Sequence, residues 1–180
     1  IVIEGTDGVG RTTQALMLRA WLESQGHAVV DTGAARSELA GKGIKRAKEG
    51  NTLGPITSSL FYATDFADRF EKQILPALKA GFIVLNDRYI YSLMSRAVVR
   101  GVDKDWIKEI YGTALKPDIV FYLKISPKDL IPRVLGDKGF NYWESGMDLK
   151  LGTDMYESFV NYQDKLISEL NNMSKEYGFI

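Results

Sequence analysis

Ile1-Val2-Ile3-Glu4-Gly5-Thr6-Asp7-Gly8-Val9-Gly10-Arg11-Thr12-Thr13 opens the chain. An apolar, β-branched run meets a glycine-punctuated turn. The turn meets an amphipathic segment in which Leu16, Leu18, Trp21 and Leu22 give a broad apolar face, ended at Gly26. This predicts a strand, a loop and a helix in immediate succession. Gly5 to Thr12 fits the pattern Gly-x-x-x-x-Gly-Lys-Ser/Thr with one change, Arg11 for lysine. Glycines at 5, 8 and 10 let the backbone wrap close to phosphate oxygens with its N–H groups turned inward. The helix beginning near Thr12 adds unpaired amides and the positive end of its dipole. Gly5, Thr6, Asp7, Gly8, Val9, Gly10, Arg11, Thr12 and Thr13 are therefore expected to hold the phosphates of ATP, with the Thr12 hydroxyl on Mg²⁺. Arg11 keeps the charge of the usual lysine but not its geometry, because guanidinium is larger, planar and suited to forked contacts. Triphosphate binding should survive that exchange better than catalysis, which depends on donors placed within a fraction of an ångström.

Outward from the loop, short β-rich runs alternate with longer amphipathic ones, the pattern of βαβ units around a parallel sheet. Strands are expected at Ile1–Glu4, Ala28–Asp31, Phe82–Asp87 and Asp118–Lys124, with a fifth beginning near Phe179. Helices fill the gaps: from about Thr12 to Gln25, from Gly54-Pro55 to Leu78, and from the N-cap Ser126 with Pro127 behind it to about Leu135. Tyr156, Phe159 and Tyr162 recur at helical spacing and are expected in the core. Gly136 to Gly152 is polar and glycine-punctuated, the composition of a mobile flap or lid. The fold class is thus α/β, of P-loop type, as one domain over residues 1–180, and a final strand and helix are expected beyond Ile180.

Phe82-Ile83-Val84-Leu85-Asn86-Asp87-Arg88-Tyr89 is an apolar strand that ends in charge, and ligands gather at such carboxyl ends in doubly wound sheets. Asp87 is placed to hold Mg²⁺ through water and Arg88 to hold a phosphate. Alone, Asp-Arg-Tyr would suggest a surface ion pair; behind a phosphate-binding loop it is far more informative.

Lys plus Arg balances Asp plus Glu at 23 each, so there is no global field for a nucleic acid, and any polyanion site must be local. Cysteine is absent, which excludes a disulfide framework and thiolate metal sites and is compatible with a cytoplasmic location. The longest apolar runs are strand-sized, so no membrane partner is expected. The single histidine, His27, has no second histidine to build a metal site with and is assigned no role.

With both motifs and the segment Phe61 to Gly81 in view, the chain resembles the thymidylate kinases over nearly its whole length. The parts occur in family order: Ile3-Glu4-Gly5-Thr6-Asp7-Gly8-Val9-Gly10, then Ile74-Leu75-Pro76-Ala77-Leu78 with Gly81, then Asp87-Arg88-Tyr89 with Ser92, then Lys116-Pro117-Asp118. Ala63-Thr64-Asp65-Phe66 and Val99-Arg100-Gly101-Val102-Asp103 resemble stretches of archaeal members. The resemblance implies a P-loop kinase that converts dTMP and ATP to dTDP and ADP, with a five-stranded parallel core and a homodimer packed through long helices. It further implies Asp7 near the acceptor sugar and Arg88 on the acceptor phosphate. Arg11, Asp7, Asp87 and Arg88 become the catalytic candidates, Thr12 and Asp87 the metal ligands, and Tyr62, Phe66, Arg69, Arg88, Tyr89 and Arg96, with Asp7, the acceptor site.

Departures from the family pattern fall mostly on base selection. Asp31-Thr32-Gly33-Ala34 replaces the usual Glu-Pro-Gly, Phe66 stands where an arginine reads the thymine edge, and Arg96-Ala97 replaces Tyr-Gln. Arg69, one turn beyond Phe66, is a candidate for the same pocket, although its i, i+4 spacing from Asp65 also fits a simple pair along the helix. Arg96 and Arg100 share that spacing, which one solvated face would explain. In the flap, Gly136-Asp137-Lys138-Gly139-Phe140 carries one lysine where relatives place several arginines over the transferring phosphate, and Lys138 and Arg133 are the nearby candidates. Two other functions stay open: a kinase acting on another nucleoside or monophosphate, with Glu4 or Asp87 as base if the acceptor is a nucleoside, and a nucleotide-binding paralogue weakened by Arg11.

Overall fold

The computed structural model describes residues 1–51 and 53–180. Strands β1 (Val2–Gly5), β2 (Val29–Gly33), β3 (Ile83–Asp87) and β4 (Val120–Leu123) form a parallel sheet in the order β2-β3-β1-β4. Each strand is followed by helical crossover structure, as parallel pairing requires. The helices are α1 (Arg11–Ser24), α2 (Gly41–Glu49), α3 (Pro55–Arg69), α4 (Leu75–Lys79), α5 (Ile90–Val99), α6 (Lys104–Ile110), α7 (Pro127–Asp137) and α8 (Met155–Tyr177).

Side chains alternate along the strands and so feed two cores. Ile3 and Leu85 pack with Ala15 and Leu22 of α1, while Val2, Val84 and Val120 pack under α5 with Phe66, Tyr91 and Met173. Helix starts follow their sequence signals: Ser126 accepts from the Asp129 amide at α7, and Asp154 accepts from the Glu157 amide at α8. Phe159 and Tyr162 are buried as expected, whereas Tyr156 is exposed.

Two expectations need correction. The sheet has four strands among the described residues, not five: Ile180 exchanges backbone hydrogen bonds with Val120 and Tyr122 (2.9 and 2.8 Å), which lays one residue along β4 without making a strand. The long helix from Pro55 is also interrupted, because Phe70–Ile74 is a π-helical segment between α3 and α4. Among the described residues, no helix is long and apolar enough to cross a membrane.

The strand order places β1 between β3 and β4, so the chain diverges on either side of β1. Ligands of such sheets gather in the crevice outside the carboxyl ends of the strands at this point. Gly5 and Asp87, the last residues of β1 and β3, both lie there.

Candidate functional site

The loop joining β1 to α1 depends on glycines. Gly8 has φ 79°, and a Cβ on it would lie 2.9 Å from Val134 Cγ2; Gly10, with φ 102°, caps α1 from the left-handed region. Among the described residues no side chain caps α1, and no acidic residue stands in its first turn. Its first amides and the positive end of its dipole are thus left for an anion.

Arg11 folds against the loop. Its Nε donates to Asp87 Oδ1 (3.0 Å), and one terminal nitrogen donates to the carbonyls of Gly5 (2.6 Å) and Thr6. Burial lowers its pKa, with the charge of Asp87 opposing that effect. The Thr12 hydroxyl donates to Asp87 Oδ2 (2.7 Å), which joins the two candidate metal ligands across the β1–β3 crevice. Among the described residues, no three His, Cys, Asp or Glu gather to hold a metal alone. A hydroxyl beside one carboxylate instead suits Mg²⁺ that arrives with phosphate oxygens and keeps several waters.

These groups border a cleft of about 520 Å³, whose lining includes Asp7, Thr12, Arg36, Asp87, Arg88 and Lys138. Thr13 borders it too, whereas Thr6 is buried and its hydroxyl is unpartnered among the described residues. Val9 is buried, and its carbonyl accepts from Arg133 (3.3 Å). Arg36 was missed in the sequence. It extends from the turn after β2, 3.2 Å from Asp31 and 3.7 Å from Asp87. Its position just beyond a strand's carboxyl end was the available signal.

Asp7 is bracketed by cations: Arg88 and Arg96 pair with its two oxygens, and Arg11 lies 3.8 Å away. Arg88 sits at φ 72°, a left-handed conformation that is uncommon for a residue with a side chain and typical of functional positions. Its Nε is buried and unpartnered among the described residues. Burial first, then repulsion from Arg96, pushes its pKa down to about 9, so it stays charged at neutral pH.

Glu4 holds this turn in place. Fully buried, it accepts from the amides of Tyr89 (2.9 Å) and Ser92 (3.3 Å) and from the Ser92 hydroxyl. It therefore caps α5 from the neighbouring strand β1, where Tyr89, the N-cap residue, supplies no cap of its own. Glu4→Ala strips these amides of their acceptor, which is expected to cost about 1–3 kcal/mol. In a chain of this size that is a fall in Tm of roughly 2–12 °C. Glu4→Gln retains an acceptor and should lose much less. Equal melting temperatures for Glu4→Ala and wild type would remove the cap.

A second, narrower space of about 40 Å³ adjoins the cleft, lined by Lys48, Tyr62, Leu93, Arg96, Arg100 and Trp143 among others. Arg96 links the two, since it lines this pocket while pairing with Asp7. Of the expected acceptor residues, Tyr62 lines this pocket with Arg96. Phe66, Arg69 and Tyr89 line neither this pocket nor the cleft. Phe66 is 3% exposed and packs on Phe70, Tyr89 and Tyr111. Arg69, 1% exposed, donates to Asp65 (3.0 Å) and to the Thr32 hydroxyl (3.3 Å). The pair along the helix is what forms, because Asp65 is fixed by the amides of Ala35 and Ser37 and draws Arg69 inward. The Tyr89 ring is in the core, with its hydroxyl donating to the Leu115 carbonyl (3.1 Å).

Arg100 is not on a solvated face. It donates to Asp148 (2.8 Å), the Tyr162 hydroxyl (2.6 Å) and the Trp143 carbonyl (3.0 Å). Within the expected flap, Trp143 donates to the Lys48 carbonyl (2.8 Å), and Glu144 and Leu151 carbonyls accept from Gln163 and Asn161 of α8. This half of the segment is fastened on both sides. Lys48 and Trp143 carried no signal in the sequence, since only tertiary packing brings them together.

Comparison with known proteins agrees with this geometry. The family model described as thymidylate kinase matches residues 3–171. A probable thymidylate kinase 2 of Saccharolobus solfataricus is 40% identical over 177 residues, covering 98% of this chain and 83% of its own length. A probable thymidylate kinase of Thermococcus kodakarensis is 39% identical, covering 77% of this chain and 72% of its own length. A thymidylate kinase of a Synechococcus strain is 34% identical with the same two coverages, 77% and 72%.

Proposed function

The chain belongs to the thymidylate kinase family, and from that premise we propose how its cleft serves the reaction. The protein is a phosphotransferase, a dTMP kinase that moves the γ-phosphate of ATP to dTMP and yields dTDP and ADP. In our reading the ATP phosphates lie on the Gly5–Thr12 amides with Arg11 beside them, and Thr12 and Asp87 would hold the accompanying Mg²⁺. Mg²⁺ would neutralise charge on the phosphate oxygens. Arg88 and Arg36 hold the acceptor phosphate, so that one of its oxygens attacks the γ-phosphorus in line as the bond to the ADP oxygen breaks. The base extends past Asp7 and Arg96 toward Tyr62. Lys138 and Arg133 border the cleft from the flap side.

The observation that carries this reading is convergence. The free helix end of α1, the Thr12–Asp87 pair and two arginines that follow strand ends all meet in one cleft. A nucleoside acceptor fits less well, because it needs a carboxylate base at its hydroxyl. Glu4 is buried and capping α5, and both Asp87 oxygens are engaged by Arg11 and Thr12. We also propose a cytoplasmic enzyme that dimerises through α3, where Ile56 and Leu60 stand exposed and Leu60 lines a surface pocket with the exposed Leu39. A coupled assay of ADP release across the common nucleoside monophosphates and thymidine tests the activity. dTMP should be the best acceptor and thymidine inert. Turnover with thymidine, or ATP binding without turnover on any monophosphate, would overturn the reading.

A further inference from the structure

We infer that Lys48 determines the specificity of the acceptor pocket, by donating a hydrogen bond to a carbonyl on the edge of a keto pyrimidine. This deepens the dTMP kinase reading and rests on it. Three cations line the pocket: Lys48, Arg96 and Arg100. Arg96 is engaged by Asp7 and Arg100 by Asp148, Tyr162 and Trp143. The Lys48 ammonium has no ion pair or hydrogen bond among the described residues, yet it lies half-buried against walls that include Leu53, Pro55, Leu93 and Tyr111. Burial, then repulsion from Arg96, lowers its pKa. A partly desolvated ammonium without an acceptor favours any ligand that brings one.

No arginine of α3 competes for that role. Phe66 is in the core, and Arg69 is bound to Asp65. Lys48 comes instead from the last turn of α2 and is braced from behind, since its carbonyl accepts from the Trp143 indole at 2.8 Å. Arg96 of the pocket pairs with Asp7, which lines the cleft where Arg88 sits, so the two spaces meet at one ion pair that a ligand phosphorylated at one end would have to pass. An ammonium has three donors and no acceptor. It therefore matches the ring carbonyl that thymine and uracil carry where cytosine carries an amino group, and mismatches the amino group. A ring must part the narrow walls to enter, and it then stands beside Lys48, the one cation of this pocket that makes no ion pair or side-chain hydrogen bond among the described residues, whereas Arg96 is held at one terminal nitrogen by Asp7.

The test compares initial rates of wild type and Lys48→Met on dTMP, dUMP and dCMP at saturating ATP. Wild type should prefer dTMP and dUMP to dCMP. In Lys48→Met, kcat/KM for dTMP and dUMP should fall about ten- to a hundredfold, with dCMP little changed and KM for ATP unaltered. Lys48→Arg, which keeps a donor, should retain more of the preference than Lys48→Met. An unchanged ratio of dTMP to dCMP in Lys48→Met overturns the role, as does an equal loss on all three acceptors, which is what a merely structural lysine predicts. If wild type turns over none of the three, the dTMP kinase reading fails separately. Calorimetric titration of dTMP and dCMP into both proteins then decides Lys48 by whether the substitution changes their affinity ratio.

Discussion

Arg11→Ala is expected to lower turnover about a hundred- to a thousandfold, the loss typical of removing one preorganised donor from a developing charge. Affinity for ATP should fall less, roughly ten- to a hundredfold, because the loop amides and the end of α1 remain. The structure gives two reasons for placing Arg11 at the reaction. Its guanidinium is already held at the base of the loop by Asp87 and by the carbonyls of Gly5 and Thr6. Moving it to phosphate oxygens exchanges one set of acceptors for another, which a forked donor does at little net cost. Arg11→Lys is the informative companion. A lysine ammonium is a single donor nitrogen and could replace the two carbonyl contacts, which one nitrogen of Arg11 makes, or the contact to Asp87, but not the forked arrangement of both. If the usual geometry of the loop operates, Arg11→Lys should match or exceed wild-type turnover. Rates for the two variants, measured with ATP and dTMP both saturating, separate these cases: a clear fall in Arg11→Lys would mean that this site has adapted to guanidinium. Wild-type turnover in Arg11→Ala would take Arg11 out of catalysis altogether.

What could be read in advance from the sequence was what depends on near neighbours or on topology. Gly5 to Thr12 announces its loop because positive φ at Gly8 and Gly10 is a local demand. The Thr12–Asp87 contact spans 75 residues, yet it follows from a general rule, since parallel strands carry their end residues to one crevice. Rotation of a helix about its own axis is a different matter. Whether Arg69 enters the pocket or turns into the core is decided by Asp65, and Asp65 by the amides of Ala35 and Ser37 in the turn after β2. No spacing within α3 encodes that. Lys48, Arg100 and Trp143 were illegible for the same reason, because each takes its place from contacts among α2, α5 and the segment before α8. Replacement of the base-reading arginine by Phe66 was visible in the sequence. Its consequence, a site supplied by other elements, was not.

Arg88→Met is expected to damage use of dTMP far more than affinity for ATP. Arg88 lines the cleft with its Nε buried and unpartnered among the described residues, and its turn is held at φ 72° by the Glu4 cap on α5. Methionine retains a Cβ and so faces the same backbone strain, which leaves loss of the guanidinium as the main change. A charge-assisted contact to phosphate contributes about 1.5–3 kcal/mol, roughly ten- to a hundredfold in apparent affinity for dTMP, and more in turnover if the contact also aligns the attacking oxygen. Asp7 keeps Arg96 as a partner in the variant, so the local charge balance is only partly disturbed. Arg36 would still reach the acceptor phosphate, which sets a floor under the loss. The competing account is that Arg88 serves only its ion pair with Asp7. A largely buried pair that is only structural would change the affinities for ATP and dTMP alike and favour neither substrate. Separate titrations of ATP and dTMP into wild type and Arg88→Met decide between the accounts. A selective loss for dTMP supports the acceptor-phosphate role, whereas small and equal changes for both ligands would leave Arg88 a structural residue and shift the acceptor phosphate to Arg36 alone.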